Sequence, residues 1–317
     1  MELFISASEI SDTNGTWTDG LNTGSVYENY SRRDKGMVKL EQVSKVYDKF
    51  TLNCTMEVKP GHITGLVGAN GAGKSTTFKA ILGLIKTDGG TIRIFGKDIK
   101  DITAEDKEKM GVVMADTGLC EEFNIKTIMK VLKAAYKNFD DKYFEDMCKR
   151  FELPSDVKTK EFSTGMRARL NMIIALSHGA RLLILDEPTS GLDVIARNEL
   201  LDIIREYVQD DCSVLISSHI SGDLEGICDD LYMIHDGEIV FHDDTDVLLD
   251  EYGMLKLTNE QYVDIDKINI RYILKGDNGY DCLTDNRQFY VDNYPDVVVE
   301  KGCIDSFLNI VEKGEKV

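Results

Sequence analysis

Two spacings of apolar residues alternate along the chain, and each predicts a type of element. From Met37 the run MVKLEQVSKVY alternates apolar and polar positions, predicting a strand over 38–43, with others over 55–58 and 91–95. Shorter runs are apolar nearly throughout: HITGLV over 62–67, MGVVMA over 110–115, and the stretches 181–185 and 213–217. Strands buried on both faces of a parallel sheet read this way. Helical spacing places Phe78, Ile81, Leu82 and Ile85 on one face. It does so again for Ile128, Val131, Leu132, Ala135 and Tyr136, and for Tyr143, Phe144, Met147 and Phe151, until Pro154 intervenes. Further helices are predicted over 165–178 and 194–208, and Asp236-Gly237 predicts a two-residue hairpin. Together these predict an α/β fold with a mixed or parallel sheet, an antiparallel β region and a helical insertion over about 116–180.

The pattern is absent at one end and changes at the other. Residues 1–36 are polar and turn-rich, hold the single tryptophan (Trp17), and predict a disordered extension. Residues 37–244 carry the alternating elements. In 245–317, Ile268, Ile270, Tyr272 and Leu274 alternate like a strand, 297–299 suggests another, and Ile304, Phe307, Leu308 and Val311 suggest a closing amphipathic helix. This predicts a small α+β appendage, in which the sequence marks no chemistry.

Charge and cysteine usage narrow the setting. The net charge of −19, from 37 basic and 56 acidic residues, argues against a nucleic-acid surface or an anionic-lipid anchor. Cys54, Cys120, Cys148, Cys212, Cys228, Cys282 and Cys303 show no C-x-x-C spacing, so reduced thiols are expected rather than zinc or a disulfide framework. No apolar run reaches the roughly eighteen residues a membrane span needs. The first residues, MELFISASEI, lack the basic and apolar regions of a signal peptide. The expected setting is therefore cytoplasmic.

Residues 68–76, GANGAGKST, lie between a predicted strand and a predicted helix and satisfy G-x-x-x-x-G-K-[ST]. In such a loop the backbone N–H groups of Gly68, Ala69, Asn70, Gly71, Ala72, Gly73, Lys74, Ser75 and Thr76 surround phosphate oxygens. Lys74 then reaches the β- and γ-phosphates, and the Ser75 hydroxyl is placed to hold Mg²⁺. A second stretch, LLILDEPTSGLD over 182–193, ends a buried strand on two acids, at the edge where open α/β sheets bind ligands. Asp186 is expected to hold Mg²⁺ through its water shell and Glu187 to polarise an attacking water. A third, FSTGMRAR over 162–169, opens a helix with Ser163, Thr164 and Gly165; it can be an ordinary N-cap or an anion site. A fourth, VLISSH over 214–219, ends a strand on His219 at the same sheet edge.

The order of these four stretches resembles the ATP-binding subunit of an ABC transporter, over about residues 37–240, and the run 160–193 resembles the exporter type in particular. The resemblance implies ATP bound between two such subunits facing head to tail. Ser163 and Gly165 would donate to the γ-phosphate held by Lys74 of the partner subunit. Asp193 would lie in the loop crossing that interface, and His219 would contact the γ-phosphate. Tyr47 falls where the family often stacks an aromatic on adenine, and reads equally as a strand-end core residue. The implied catalytic set is Glu187, His219 and Lys74, with ATP and Mg²⁺ as cofactors. Its implied partners are a second ATP-binding subunit and a separate integral membrane permease, which would hold the protein at the inner face of the cell membrane.

Two positions depart from the family pattern. Thr164 stands in the signature where a glycine is usual, while Ser163 and Gly165 are kept. Where a glutamine usually follows the strand over 110–115, this chain has Ala115 or Asp116, which predicts slower or differently coupled hydrolysis. A soluble ABC-type ATPase acting on ribosomes or DNA, and a regulatory ATP-binding subunit, are the alternative readings. The first usually carries paired ATP-binding domains or a long coiled coil, which this chain lacks.

Overall fold

The computed structural model of the protein describes residues 36–114, 121–208 and 212–317. The predicted extension with Trp17, the positions Ala115 and Asp116, and Cys120 lie outside the described residues. The strands are β1 (Val38–Tyr47), β2 (Phe50–Val58), β3 (Ile63–Val67), β4 (Gly89–Ile94), β5 (Lys97–Asp98), β6 (Met110–Val113), β7 (Leu182–Asp186), β8 (Ser213–Ser217), β9 (Asp230–His235), β10 (Glu238–Asp244), β11 (Gly253–Leu257), β12 (Ile270–Lys275), β13 (Tyr280–Thr284), β14 (Val298–Lys301) and β15 (Glu315–Lys316). The helices are α1 (Lys74–Ile81), α2 (Ala104–Lys107), α3 (Ile125–Ala135), α4 (Asp141–Arg150), α5 (Thr164–Leu176), α6 (Val194–Tyr207), α7 (Ser221–Glu225), α8 (Thr245–Asp250), α9 (Asn259–Asp264), α10 (Arg287–Asn293) and α11 (Ile304–Lys313).

Ten strands form one sheet in the order β5-β4-β1-β2-β10-β9-β3-β8-β7-β6. The run β9-β3-β8-β7-β6 is parallel throughout and β5-β4-β1-β2 is antiparallel, while β10 between them pairs parallel with β2 and antiparallel with β9. The expected mixed sheet with an antiparallel region is thus present. All five residues of β3, of β7 and of β8 are buried, which is why their sequences are apolar without alternation.

Strand β1 is longer than its predicted 38–43 because a bulge interrupts the alternation. Val38, Leu40 and Val43 are all buried, yet the last spacing is three. Two residues, Glu41 and Gln42, oppose a single residue of β2, and Gln42 takes φ 50° to turn Val43 back inward. The Gln42 amide, displaced from the ladder, donates to Thr55 Oγ1 at 3.0 Å. At the predicted hairpin Asp236 and Gly237 adopt φ 45° and 82°, the two left-handed positions that a type I′ turn requires.

The helical insertion packs α3, α4 and α5 together, each started by a side-chain cap: Asn124, Asp140 and Ser163 accept from the third amide onward. One predicted face is corrected. Helix α3 buries Ile125, Ile128 and Leu132, while Val131 and Ala135 are exposed. The i, i+3, i+7 stripe beginning at Ile125 faces α4, and Val131 and Ala135 lie past its solvent edge.

Beyond β10, five strands form an antiparallel sheet in the order β14-β11-β13-β12-β15. The predicted strand from Ile268 begins later, at Ile270; Ile268 is exposed, and a shift of register between Ile270 and Tyr272 accounts for the imperfect alternation. Helix α11 buries Ile304, Phe307 and Val311 as its spacing predicts, with Ile310 buried in addition and Leu308 only half-buried. These side chains belong to the same continuous apolar core as the helical insertion and one face of the large sheet. Phe307 meets Phe241 of β10 and Tyr252, and the Ile304 amide donates to Glu225 Oε1 of α7 at 2.7 Å. Among the described residues no helix is long and apolar enough to cross a membrane.

Candidate functional site: a P-loop cleft at the carboxyl edge of the sheet

The loop from Val67 to α1 turns at the carboxyl end of β3. Gly73, at φ 119°, occupies a backbone region that side chains rarely adopt, and a Cβ there would lie 3.0 Å from Phe50 and 3.1 Å from Ile234. From that turn α1 starts directly, with the Thr77 amide and hydroxyl both donating to the Gly73 carbonyl. The hairpin supports the loop from behind, as the Gly237 amide donates to the Ala72 carbonyl at 2.9 Å.

Lys74 is buried and curls back over the loop, its Nζ donating to the carbonyls of Gly68 at 2.6 Å and Ala69 at 3.3 Å. The same ammonium lies 3.6 Å from Glu187 Oε1. Glu187 follows β7 and holds φ 52°, a left-handed conformation costly for a residue with a side chain and placed here just before Pro188. Its amide is held by Ser217, at 3.2 Å to the carbonyl and 3.0 Å to the hydroxyl, and that hydroxyl donates to Asp186 Oδ1 at 2.8 Å. Glu187 Oε2 accepts twice from His219, at 2.5 Å from Nδ1 and 3.1 Å from the amide. The carboxylate is thus fixed between the P-loop ammonium and the imidazole.

These groups line a cleft of about 430 Å³ formed by Ala69, Asn70, Gly71, Gly73, Lys74, Ser75, Thr76, Glu187, Ser190 and His219. Most of the residues expected from sequence meet there. Gly68 and Ala72 support the loop from outside the lining, and Asp186 is fully buried at the end of β7 with one oxygen on Ser217. Ser163 and Gly165 lie elsewhere, at the start of α5. Ser163 caps that helix by accepting from the Met166 amide, and Gly165 faces Leu192 and Ala196. Tyr47 is 43% exposed at the end of β1, so the alternative of a core residue does not hold. Its ring lies 6.3 Å from that of Phe50, the side chain packed beside Gly73.

Mg²⁺ fits this donor set. Ser75 and Asp186 offer hydroxyl and carboxylate oxygens, the hard donors Mg²⁺ prefers, and that ion takes most of its ligands from water and phosphate. Among the described residues no cluster of three or more His, Cys, Asp or Glu able to hold a metal occurs.

Sequence reasoning missed Phe50, Ser190 and Ser217. Ser190 lay inside a motif already marked. Ser217 likewise lay inside VLISSH, whereas Phe50 carries no signal of its own; its role arises when β2 brings it beside the P-loop.

The family model described as "ABC transporter" matches residues 51–190. The ABC transporter ATP-binding protein YtrB of Bacillus subtilis (strain 168) is 30% identical over 234 residues, covering 72% of this chain and 79% of that protein. The lantibiotic transport ATP-binding protein SrtF of Streptococcus pyogenes is 32% identical over 214 residues, covering 66% and 92%. A solved ATP-binding subunit of an ABC transporter superposes with a TM-score of 0.60 at 27% identity, covering 67% of this chain and 91% of that one. With the P-loop, Glu187 and His219 in one cleft and Asp186 buried beside it, the chain belongs to the ATP-binding subunits of ABC transporters, a family of ATPases.

Proposed function

We propose that the protein powers export through a separate membrane-spanning permease, hydrolysing Mg²⁺-ATP in a head-to-tail pair of ATP-binding subunits. The observation that carries this is the convergence of Lys74, Glu187 and His219 on one cleft of about 430 Å³. Bound phosphates draw the Lys74 ammonium from the carbonyls of Gly68 and Ala69. Glu187 then polarises a water for in-line attack on the γ-phosphorus, and Lys74 offsets the charge that develops on its oxygens. His219 holds Glu187 in position before attack and meets the γ-phosphate during it. Ser75, and Asp186 through water, would hold Mg²⁺, which would supply positive charge against that of the phosphates.

The second subunit supplies Ser163 and Gly165 from the start of its α5. Supporting this, both residues lie outside the cleft of their own chain, and Val194 and Ile195 stand exposed next to Asp193. Tyr47 provides the face on which adenine stacks. Residues 37–244 form the ATP-binding domain, with about 116–180 as its helical subdomain, and 245–317 form an appendage. The name of the Streptococcus pyogenes relative, a lantibiotic transport protein, favours a transport role, and the exporter-like run over 160–193 favours the outward direction. Binding to the permease places the protein on the inner face of the membrane; the net charge of −19 makes a nucleic-acid partner unfavourable.

The test is Glu187→Gln in the full chain, purified alone and by pull-down from detergent-solubilised native membranes. The expected result is an ATP-dependent dimer with ATP turnover lowered about 100-fold or more, recovered together with a multi-span protein. Unchanged turnover would remove Glu187 from the mechanism, and recovery with ribosomes or DNA-bound proteins would overturn transport.

A further inference from the structure

Asp223 is a buried carboxylate on α7, the short helix that follows His219, and it is 4% exposed. Its Oδ2 accepts from Thr189 Oγ1 at 2.8 Å and lies 3.5 Å from Ser218 Oγ. Its Oδ1 lies 3.8 Å from Arg197 Nε on α6, a buried donor that makes no hydrogen bond. Thr189 is two residues beyond Glu187, and Ser218 immediately precedes His219. Both are 1% exposed. The carboxylate therefore joins, from beneath, the two loops whose tips carry the Glu187–His219 pair.

We propose that Asp223 is a positioning residue for ATP hydrolysis, fixing the backbone of the Glu187 loop against that of the His219 loop through Thr189 and Ser218. This rests on the hydrolytic reading above. The bond between His219 Nδ1 and Glu187 Oε2 must loosen when the γ-phosphate and the attacking water arrive. The Thr189–Asp223–Ser218 link contains none of the reacting groups, so it persists through that exchange. It keeps the base and the imidazole in register when their direct bond is open. Displacing a reacting group by about 1 Å can cost about 100-fold in rate, so a buried link two residues from the base has a large lever on turnover. Arg197 extends the link to α6, the helix that begins directly after Asp193.

The test uses the full-length protein and steady-state ATP hydrolysis, with the thermal midpoint of every variant measured alongside. Thr189→Val removes the donor at nearly constant volume, Thr189→Ser keeps it, and each is also made in a His219→Ala background. The expected result for Thr189→Val is a fall in kcat of about 10- to 100-fold with KM for ATP within about twofold. Thr189→Ser stays within about threefold of the parent, and in the His219→Ala background Thr189→Val costs less than about twofold. The proposal is overturned if folded Thr189→Val keeps its kcat, if Thr189→Ser loses as much, or if the loss is the same without His219. Where Thr189→Val does not fold, Asp223→Ala carries the same comparison, since it removes the one oxygen that both hydroxyls face; an unchanged kcat there overturns the proposal equally. A parent protein that binds ATP without hydrolysing it would overturn the hydrolytic reading itself, an outcome distinct from a hydrolysing parent with a silent Thr189→Val.

Discussion

His219 Nδ1 lies 2.5 Å from Glu187 Oε2, and the amide of the same histidine donates to that oxygen at 3.1 Å. One residue therefore holds the carboxylate by two independent bonds, only one of which is lost when the side chain is truncated. His219→Ala is expected to keep ATP affinity within about threefold and to lower kcat about 100-fold or more, in the range of a lost acid–base partner. Fluorescent-nucleotide titration and phosphate release would separate the two effects. A matching loss of affinity would show that the imidazole acts mainly in binding.

The P-loop glycines separate crowding from backbone strain. Gly71 holds φ 87° with nothing within 4 Å of a would-be Cβ, whereas Gly73 holds φ 119° with Phe50 and Ile234 at 3.0–3.1 Å. Gly71→Ala should cost only the conformational strain, about 1 kcal/mol, and Gly73→Ala about 2–3 kcal/mol as Phe50 and Ile234 are displaced. Urea midpoints of the two variants would rank them; equal midpoints would show that the Phe50 and Ile234 contacts relax without cost. Nucleotide affinity should fall further for Gly73→Ala, because the displaced Phe50 neighbours Tyr47.

The site was legible in the sequence because each of its parts is a local pattern. LLILDEPTSGLD and VLISSH each combine a buried strand with its functional residues in a dozen positions or fewer, GANGAGKST directly follows another, and the parallel sheet carries those strand ends to one edge. The hairpin at Asp236-Gly237 was legible for the same reason. What the sequence concealed depends on partners distant in the chain. Val131 and Ala135 fit the helical period of α3, but which side of the stripe is covered depends on where α4 packs. Asp223 resembles any acid in a surface helix until β7 and β8 bring Thr189 and Ser218 against it. The shared core of α11 and β10 was hidden likewise, since four of the second sheet's five strands separate Phe241 from Phe307 in the chain.

Acid sensitivity should concentrate where α2 starts. Lys97 Nζ donates to both Asp106 oxygens at 2.7 and 2.9 Å, and Thr103 donates from its amide and its hydroxyl. The Lys97 hydrogen bond first, and the Thr103 bonds after it, outweigh burial and draw the carboxyl down to about 2. A carboxyl lowered on folding stabilises the protein above its unfolded value near 4 and loses that contribution as pH falls toward 2. The contribution at neutral pH is about 2 kcal/mol. Asp106→Asn should therefore be less stable than the parent at pH 7 by roughly that amount, with the gap closing below about pH 4. Denaturant titrations at pH 7, 5 and 3.5 would trace it; a gap independent of pH would place the loss in packing instead.

The cysteines should sort by burial. Cys54, Cys148, Cys212, Cys228 and Cys282 are buried, and desolvation pushes Cys54, Cys148, Cys212 and Cys282 up to about 12 and Cys228 well above its ordinary value. Cys303, part exposed at the start of α11, differs from these five. Iodoacetamide at pH 8 should alkylate Cys303 in the native protein and leave these five unmodified until denaturant is added. Rapid native labelling of Cys212 or Cys282 would contradict the packing described for β8 or β13.

Phe307 tests whether the two sheets unfold together. The ring is 1% exposed and lies 6.0 Å from Phe241 of the large sheet and 5.9 Å from Tyr252. It belongs to the apolar core that runs from α11 under the parallel strands to the helical insertion. Phe307→Ala should cost about 3–5 kcal/mol, the usual range for emptying such a site. Because the core is continuous, the loss should lower the midpoint of nucleotide release and that of far-ultraviolet ellipticity together, as one cooperative transition. An early ellipticity change that leaves nucleotide bound would instead show that residues 245–317 unfold on their own. In that case the Glu225–Ile304 bond and the Phe241 contact would hold the appendage in place without adding to the stability of the P-loop cleft.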